Sequence, residues 1–260
     1  MPYEYALYEK KDRIATITLN RPAVMNAIHP PATAELSHIW DDALADDEVW
    51  VIILTGAGDK AFSAGNDLKY TAEKGLPTGP QPEGGFGGLL KRTSIAKPLI
   101  AAVNGLALGG GLEMALACDI LIAADHARFG LPEPRVGLAA VMTGGVHRLA
   151  RRMPLSIAMG YILTGKDMTA QEAHKWGMVN EVVPLPELIP TAHRWASEIL
   201  ACAPLAVRAS KQATVMGLGM TLDEAMAQRY PVLKQWAQSE DLKEGPRAFA
   251  EKRKPHWKGK

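Results

Sequence analysis

The sequence predicts an α/β core followed by a helical C-terminal region. Apolar runs typical of strands alternate with helical patterns over about the first 185 residues. From Glu187 onward the patterns are helical, with interruptions at Pro204, Gly217–Gly219 and Pro231. The core is therefore predicted over residues 1–200 and the helical region over residues 201–260.

The first half of the chain contains three segments that fit strands. Residues 13–20 (RIATITLN) alternate and are rich in β-branched side chains, which is typical of a half-exposed strand. Residues 49–55 and 98–103 are almost continuously apolar, as expected of strands that are buried on both faces. Between the first two, the pair Pro30–Pro31 opens a helix. Its apolar side chains follow helical spacing at Leu36, Ile39, Trp40 and Leu44.

Residues 69–92 are predicted to form a long loop or lid. The segment holds six glycines and three prolines, with charges at either end. Loops of this length often line active sites. A tolerated surface insertion is the other interpretation.

The second half begins with a short predicted helix over residues 112–118 and a strand over residues 119–124. Helical segments are predicted over residues 143–153 and 155–163. Thr169 and Glu172 form a capping-box pattern at the start of a helix that reaches Trp176, and Gly177 ends it. A last short strand is predicted over residues 179–183, and the sequence has no obvious repeat of fixed period.

Composition limits the possible partners and location. The 260 residues contain 29 Lys and Arg against 28 Asp and Glu, a balance that argues against nucleic acid as a main partner. Cys118 and Cys202 lack metal-ligand spacing and lie in apolar runs, so both are predicted to be small buried side chains in a reducing compartment. The longest apolar stretch, residues 98–112, is shorter than the roughly 18 residues that a membrane span needs. We therefore expect a soluble cytoplasmic protein.

Two glycine-containing turns each follow a predicted buried strand, at residues 56–68 and 104–113. Unpaired N–H groups at such turns point outward, and two that converge make an oxyanion hole. A phosphate cradle is the alternative, although neither a GxGxxG nor a P-loop pattern follows a strand. Close packing of helix on strand would also explain the glycines.

Glu113 and Glu133 are the candidate acid–base residues. Glu113 follows three glycines in a run that is otherwise apolar, where a carboxylate is paired or functional. Glu133 lies between two prolines, and its alternative role is an ion pair with Arg135 or Arg148. Two carboxyl groups at one apolar site shift each other's pKa apart, so that one can donate a proton and the other accept it.

Other chemistry has weaker support in the sequence. The histidines lack a telling spacing, although His147 follows Gly144–Gly145 and could lie near a site. There is neither a nucleophile elbow nor a zinc pattern. The basic C-terminal residues 251–260 are either a solvated tail or a source of cations for a polyphosphate ligand.

Several segments resemble the crotonase (enoyl-CoA hydratase/isomerase) superfamily, and together they cover nearly the whole chain. Residues 97–113 (KPLIAAVNGLALGGGLE) carry the most specific similarity. The others are residues 20–27 (NRPAVMNA), 62–68 (FSAGNDL), 129–133 (FGLPE) and 249–254 (FAEKRK). The resemblance implies a spiral of ββα turns with a C-terminal helical trimerisation region, assembled as a homotrimer or as a hexamer of two trimers.

The resemblance also implies an acyl-CoA thioester as substrate, with no metal and no cofactor beyond coenzyme A. By position, the amides of Ala64 and Gly110 would form the oxyanion hole. Glu113 would act as base and Glu133 as acid in the reversible syn addition of water to a trans-2-enoyl-CoA. The coenzyme A contacts implied by the resemblance are Ala23, Val24, Ala64, Asp67, Leu68 and Gly110, together with Phe249 and, from a neighbouring subunit, Lys252.

Other reactions of the superfamily remain alternatives. Residues 84–89 and 244–259 are similar to the carnitinyl-CoA dehydratase subgroup, whose quaternary ammonium could meet Tyr70, Trp176 or Phe86. Double-bond isomerisation and RNA binding are further alternatives. Residues 137–145 (GLAAVMTGG) depart from the family pattern, because they lack a proline and are one residue longer. We expect this departure to affect acyl specificity and the aim of Glu133.

Overall fold

The computed structural model describes residues 3–75 and 79–260 as strands and helices around two sheets. Short 3-10 turns cover Pro22–Val24, Phe86–Gly88 and Glu133–Val136. The strands are β1 Ala6–Lys11, β2 Ile14–Leu19, β3 Val51–Gly56, β4 Ala61–Ser63, β5 Leu99–Val103, β6 Leu106–Leu108, β7 Ile120–Ala124, β8 Arg128–Gly130, β9 Asp167–Thr169 and β10 Glu181–Val183. The helices are α1 Pro30–Ala45, α2 Leu68–Lys74, α3 Gly110–Leu116, α4 Gly145–Arg152, α5 Leu155–Thr164, α6 Ala170–Lys175, α7 Leu185–Leu200, α8 Pro204–Gly217, α9 Leu222–Ala227, α10 Pro231–Gln238 and α11 Asp241–Ala250.

The larger sheet has six strands in the order β1-β2-β3-β5-β7-β10. Its strands from β2 to β10 are parallel, whereas β1 pairs antiparallel with β2. The five strands predicted from apolar runs are confirmed, with ends that differ by at most two residues. β1 was not predicted, because its sequence ALYEKK is charged and mostly exposed at the sheet edge.

The smaller sheet has four strands in the order β4-β6-β8-β9, and none of them was predicted from the sequence. Each of its strands has three residues, which is too short for a period of two to be recognised. β4, β6 and β8 follow β3, β5 and β7 after short turns, and a helix or 3-10 turn comes next. The chain therefore repeats a ββα-like unit, although its sequence shows no fixed period.

The segment predicted as a loop over residues 69–92 is only partly a loop. It lies partly in helix α2, which begins at Leu68, and residues 76–78 lie outside the described part of the chain. Nearer its end, the 3-10 turn Phe86–Gly88 packs on α1, and the indole N–H of Trp40 donates to the carbonyl oxygen of Gly87 at 3.2 Å. This contact fixes the glycine-rich part of the segment against the core.

Helix predictions in the second half agree closely with the structure. α3 begins at Gly110, two residues before the predicted start, because glycines form its first turn. The Thr169–Glu172 capping box is confirmed, and Gly177, with φ of 82°, follows the end of α6. Cys118 is buried as predicted, whereas Cys202 is exposed, which corrects its assignment as a core side chain.

The final residues of the chain fold back on α11 and the end of α7. The buried carboxylate of Asp241 accepts from the backbone N–H groups of Lys258 at 2.7 Å and Gly259 at 2.8 Å. The indole N–H of Trp257 donates to the carbonyl oxygen of Ala201 at 2.8 Å. The C-terminus is thus anchored to the rest of the chain, while the side chains of residues 251–260 remain exposed or half-buried.

The predicted boundary at residues 200 and 201 falls between α7 and α8. Helices α8 and α10 enclose a small apolar cluster of their own, separate from the main core. Lys211 on α8 nevertheless forms an ion pair of 2.7 Å with Asp119, just before β7. The division into two units stays a prediction. In the described residues, we find no helix that combines the length and the apolar character needed to cross a membrane.

Candidate active site

Two glycine-rich turns meet at the start of α3. Gly65 has a φ of 85°, a backbone conformation that favours glycine. A Cβ atom at Gly65 would lie 2.7 Å from the carbonyl oxygen of Leu108 and 2.8 Å from the amide nitrogen of Gly110. Glycine at this position therefore lets the turn after β4 approach the N-terminus of α3. Close packing through glycine, one of the alternatives given for these turns, is therefore present at Gly65.

The backbone amides of these turns differ in whether they already donate a hydrogen bond within the chain. The N–H of Ala64 donates to the carbonyl oxygen of Met25 at 2.9 Å, so it is already engaged. The N–H groups of Asn66 and Gly110 donate in none of the hydrogen bonds of the described residues. The sequence-based assignment of Ala64 as an oxyanion-hole donor is therefore corrected, because a second acceptor would have to compete with Met25.

Glu113 projects from the first turn of α3 and is only 2% exposed. Its Oε1 accepts from the hydroxyl of Thr143 at 2.6 Å and from the N–H of Gly145 at 2.8 Å. Burial raises the pKa of the Glu113 carboxyl, while these two donors and the positive charge of Arg148 act to lower that pKa. The net effect is a raised pKa, although the two donors and Arg148 still stabilise the charged form of Glu113.

Glu133 opens the 3-10 turn after β8, and its Oε2 is buried without a hydrogen-bond partner among the described residues. Burial and, secondarily, the charge of Glu113 raise the pKa of this carboxyl. No ion pair joins Glu133 to Arg135 or Arg148 in the described chain, so that alternative is wrong. A Cβ atom at Gly109 would lie 3.0 Å from Glu133 Oε1, which places this carboxyl beside the turn that leads into α3.

The segment 137–145 reaches Glu113 through side-chain and backbone donors. Its contacts with Glu133 are made by the backbone: the N–H of Leu138, at 2.9 Å, and the N–H of Gly137 both donate to the carbonyl oxygen of Glu133. The sequence departure in this segment was expected to affect the aim of Glu133. The carboxyl group that it holds directly is instead that of Glu113, through Thr143 and Gly145.

The residues predicted to contact coenzyme A fall in two places. Ala23 and Val24 lie exposed in the 3-10 turn after β2, close to the turn that holds Asp67 and Leu68. The two turns are joined by an ion pair of 3.0 Å between Arg21 and Asp67. Asp67 also caps α2 by accepting from the N–H of Tyr70 at 3.1 Å, so its carboxylate is structural.

Phe249 and Lys252 lie at the end of α11 and are both exposed. No described hydrogen bond or ion pair within the chain joins them to the two turns near Gly110. Their predicted contact with coenzyme A depends on a neighbouring subunit and stays a prediction. In the described residues there is no group of three or more His, Cys, Asp or Glu side chains that could hold a metal ion.

Asn66, Thr143 and Gly145 were not identified as functional candidates from the sequence. Asn66 lies within the turn at residues 62–68, but the motif does not show which backbone amide of that turn lacks an acceptor. Thr143 and Gly145 lie about 30 residues beyond Glu113 in the chain. The one available signal was the departure of residues 137–145 from the expected pattern.

Comparisons with protein families, curated relatives and solved structures all indicate the same class of enzyme. A family model described as enoyl-CoA hydratase/isomerase matches residues 9–260. The chain is 44% identical over 253 residues to a carnitinyl-CoA dehydratase of Salmonella arizonae, covering 95% of each chain. It is 40% identical to an (E)-benzylidenesuccinyl-CoA hydratase of Thauera aromatica, covering 96% of this chain and 98% of that one. The crystal structure of an enoyl-CoA hydratase from Mycobacterium marinum superposes with a TM-score of 0.91, at 42% identity and full coverage of both chains.

The fold and these similarities define a protein of the crotonase type, and the chain belongs to the enoyl-CoA hydratase/isomerase family. More particularly, it is an enzyme of the hydro-lyase class, of the enoyl-CoA hydratase type. The reaction class follows from the whole-chain match. The acyl group of the substrate does not follow from it, since the two curated relatives act on different acyl groups.

Proposed function

We propose that the enzyme catalyses the reversible syn addition of water to a trans-2-enoyl-CoA thioester. The observation that carries this proposal is the presence of two carboxyl groups, the buried Glu113 and the half-buried Glu133, beside the turn that leads into α3. A hydration needs both a group that takes a proton from water and a group that supplies one to carbon.

The thioester carbonyl would accept hydrogen bonds from the amides of Asn66 and Gly110. This assignment replaces Ala64 with Asn66, because the Asn66 amide donates to no acceptor among residues 3–75 and 79–260 and lies two residues along the same turn. Negative charge develops on the carbonyl oxygen when water adds to the β-carbon. One donor of this kind contributes about 3–4 kcal/mol at the transition state.

Glu113 is proposed as the base and Glu133 as the acid in the hydration direction. Glu113 has two hydrogen-bond donors and a nearby cation that favour its charged form, so it can accept a proton from the attacking water. Glu133 has a buried unpartnered oxygen and a charged neighbour, both of which favour its protonated form. Its proton passes to the α-carbon, and the enolate returns to the thioester.

Hydration of crotonobetainyl-CoA, the carnitinyl-CoA dehydratase reaction, is a second candidate. The 44% identity to carnitinyl-CoA dehydratases supports it. An aromatic ring also lies at the site, because a Cβ atom at Gly110 would lie 2.5 Å from Cε1 of Phe86. Aromatic faces attract quaternary ammonium groups. Double-bond isomerisation is less well supported, since it needs only one of the two carboxyl groups.

The remaining expectations complete the proposal. Ala23, Val24, Leu68 and the backbone of Asp67 would contact the adenine of coenzyme A. Lys252 of a neighbouring subunit would meet its phosphates in a homotrimer or a hexamer, and Phe249 would also contact coenzyme A. A cytoplasmic location, no nucleic-acid partner and no cofactor beyond coenzyme A stay predictions.

The test is a substrate panel read by mass spectrometry. Short trans-2-enoyl-CoA esters and crotonobetainyl-CoA are incubated with the enzyme, and a gain of one water identifies the substrate. E113Q and E133Q should each reduce the rate by several orders of magnitude, since each removes one proton-transfer partner. Full activity in either variant would reject the mechanism with two carboxyl groups, and a rearranged product of unchanged mass would indicate an isomerase.

A further inference from the structure

We propose that Thr143 is a positioning residue that holds one oxygen of Glu113 and leaves the other for the reacting water. The proposal rests on the hydratase function proposed above. Thr143 and Gly145 both donate to Oε1 of Glu113, at 2.6 Å and 2.8 Å. Oε2 accepts none of the described hydrogen bonds, and it is not among the fully buried unpartnered atoms. The carboxylate is therefore held in one orientation, with Oε2 directed at accessible space.

The two glycines after Thr143 make this arrangement possible. Gly144 has a φ of 89°, a left-handed conformation that turns the chain between the two donors. A Cβ atom at Gly145 would lie only 2.6 Å from Glu113 Oε1. The backbone can thus approach the carboxylate closely enough for a side chain and an amide to bind the same oxygen.

Arg148 fixes the backbone of Thr143 in turn. Its Nη1 donates to the carbonyl oxygen of Thr143 at 2.7 Å, and its Nη2 donates to the carbonyl oxygen of Leu90 at 2.8 Å. Arg148 therefore links the segment 137–145 to the glycine-rich segment that packs on α1. Since the carbonyl group of Thr143 is held by Arg148, its hydroxyl stays within reach of Glu113.

Besides orienting Glu113, the Thr143 hydroxyl affects the pKa of the Glu113 carboxyl. The charged group that acts on the pKa of Glu113 is Arg148 on α4, and the charge of Glu113 in turn raises the pKa of Glu133 in the 3-10 turn. Thr143 donates to the charged carboxylate and opposes the desolvation that raises the pKa of Glu113. Removal of the hydroxyl should therefore raise this pKa further and let the carboxylate rotate.

The experiment compares T143V, T143S and a matched control, T214V. Thr214 lies exposed on α8, where its hydroxyl donates to the carbonyl oxygen of Ser210 at 2.9 Å. In T143V, kcat should fall by about tenfold to a hundredfold with little change in KM, as for the loss of a hydrogen bond to a charged group. The acidic limb of the pH–rate profile should move to higher pH. T143S should restore both properties, and T214V should change neither.

A merely structural role predicts a different result. Loss of thermal stability in T143V, with unchanged kcat and an unchanged acidic limb, would overturn the proposal. A T143S variant as impaired as T143V would overturn it as well, because its hydroxyl is retained. Circular dichroism of each variant separates unfolding from a catalytic effect.

Failure of the hydratase function can be recognised separately. If the wild-type enzyme hydrates no member of the substrate panel, that function is rejected. The hold on Glu113 is then measured without turnover, by infrared difference spectra of its carboxyl titration in wild type and T143V, with E113Q as the blank. A raised Glu113 pKa in T143V supports the positioning role, and an unchanged pKa rejects it.

Discussion

At the scale of single residues, the site depends on what each backbone amide and carboxyl oxygen contacts. The amides of Ala64 and Asn66 are two residues apart in one turn. In the described part of the chain, the Ala64 amide has a backbone acceptor and the Asn66 amide has none. Glu113 is buried and Glu133 is half-buried. Among the described residues Glu113 accepts from two donors, whereas the buried Oε2 of Glu133 has no hydrogen-bond partner. The first difference decides which amide is open to a thioester carbonyl. The second decides which carboxyl group favours its charged form and which favours its protonated form.

Gly145 gives a direct test of the hold on Glu113. The G145A substitution places a methyl group where the present backbone leaves 2.6 Å to Glu113 Oε1, so the carboxylate must move. We expect hydratase activity to fall by at least a hundredfold while the fold persists, measured by kinetics and circular dichroism. G160A is the control, because nothing lies within 4 Å of a Cβ atom at Gly160 on α5. Wild-type activity in G145A would contradict the described geometry.

The raised pKa values predict a displaced pH profile for kcat/KM of hydration. Glu113 must be charged, so the rate should rise with pH as it loses its proton, and Glu133 must be protonated, so the rate should fall at higher pH. Burial raises both pKa values. Both limbs should therefore lie above about pH 4.3, the ordinary value for glutamate. Since the two carboxyl groups interact, the limbs report the pair rather than either residue. A profile that is flat through this range would contradict the assignment.

At the scale of elements, the longer strands were readable from the sequence and the shorter ones were not. β3 and β5 are continuously apolar because they are buried on both faces of the parallel sheet. The three-residue strands β4, β6 and β8 carry too few side chains to show alternation, and they form because the neighbouring turn of chain supplies their hydrogen bonds. α2 was likewise hidden in a segment whose glycines and prolines indicated a loop.

The anchored C-terminus is an element whose stability can be tested. D241A should lower the free energy of unfolding by about 1–3 kcal/mol, because the amides of Lys258 and Gly259 lose their buried acceptor. Chemical denaturation measures this change, and limited proteolysis should release the tail first. E240A is the matched control, because its ion pair with Lys258 is exposed and should contribute little. Equal effects of the two substitutions would contradict the role given to Asp241.

At the scale of the whole molecule, the raised pKa values of the buried Glu113 and the half-buried Glu133 make the stability of the fold depend on pH. A carboxyl group whose pKa is raised on folding binds its proton more tightly in the native state than in the unfolded chain. Its contribution to stability is thus complete below the unfolded pKa of about 4.3 and is lost as pH rises through the folded pKa. Near neutral pH, any charge on Glu113 or Glu133 opposes folding.

E133Q should therefore be more stable than the wild type at neutral pH, although it is less active. The difference in melting temperature should shrink as pH falls from the raised folded pKa of Glu133 to about 4.3, because the wild type regains this stability in that window. Below about 4.3 both proteins are neutral at this position in the folded and the unfolded state, so no further change is expected. Thermal melts at several pH values measure this change. Lower stability of E133Q at neutral pH would show that the unpartnered oxygen has a stabilising contact in the folded enzyme.

The assembly state can be measured on the intact enzyme. We expect a homotrimer or a hexamer of the 28.0 kDa chain, determined by light scattering during size-exclusion chromatography. Phe249 is 86% exposed at the end of α11, which fits a side chain that needs a neighbouring subunit. A monomer with full hydratase activity would reject the contribution of Phe249 and Lys252 from a neighbour.

The sequence by itself determined the α/β class, the main parallel strands, the two glycine turns and the pair of glutamates. Local apolar periodicity and motif identity carry that information along the chain. Only the tertiary structure decided which amide of the first turn is free and that Thr143 and Gly145 hold Glu113. These contacts join residues about 30 to 40 positions apart. The sequence pattern identifies the segments that meet, but hydrogen-bond pairing depends on their final packing.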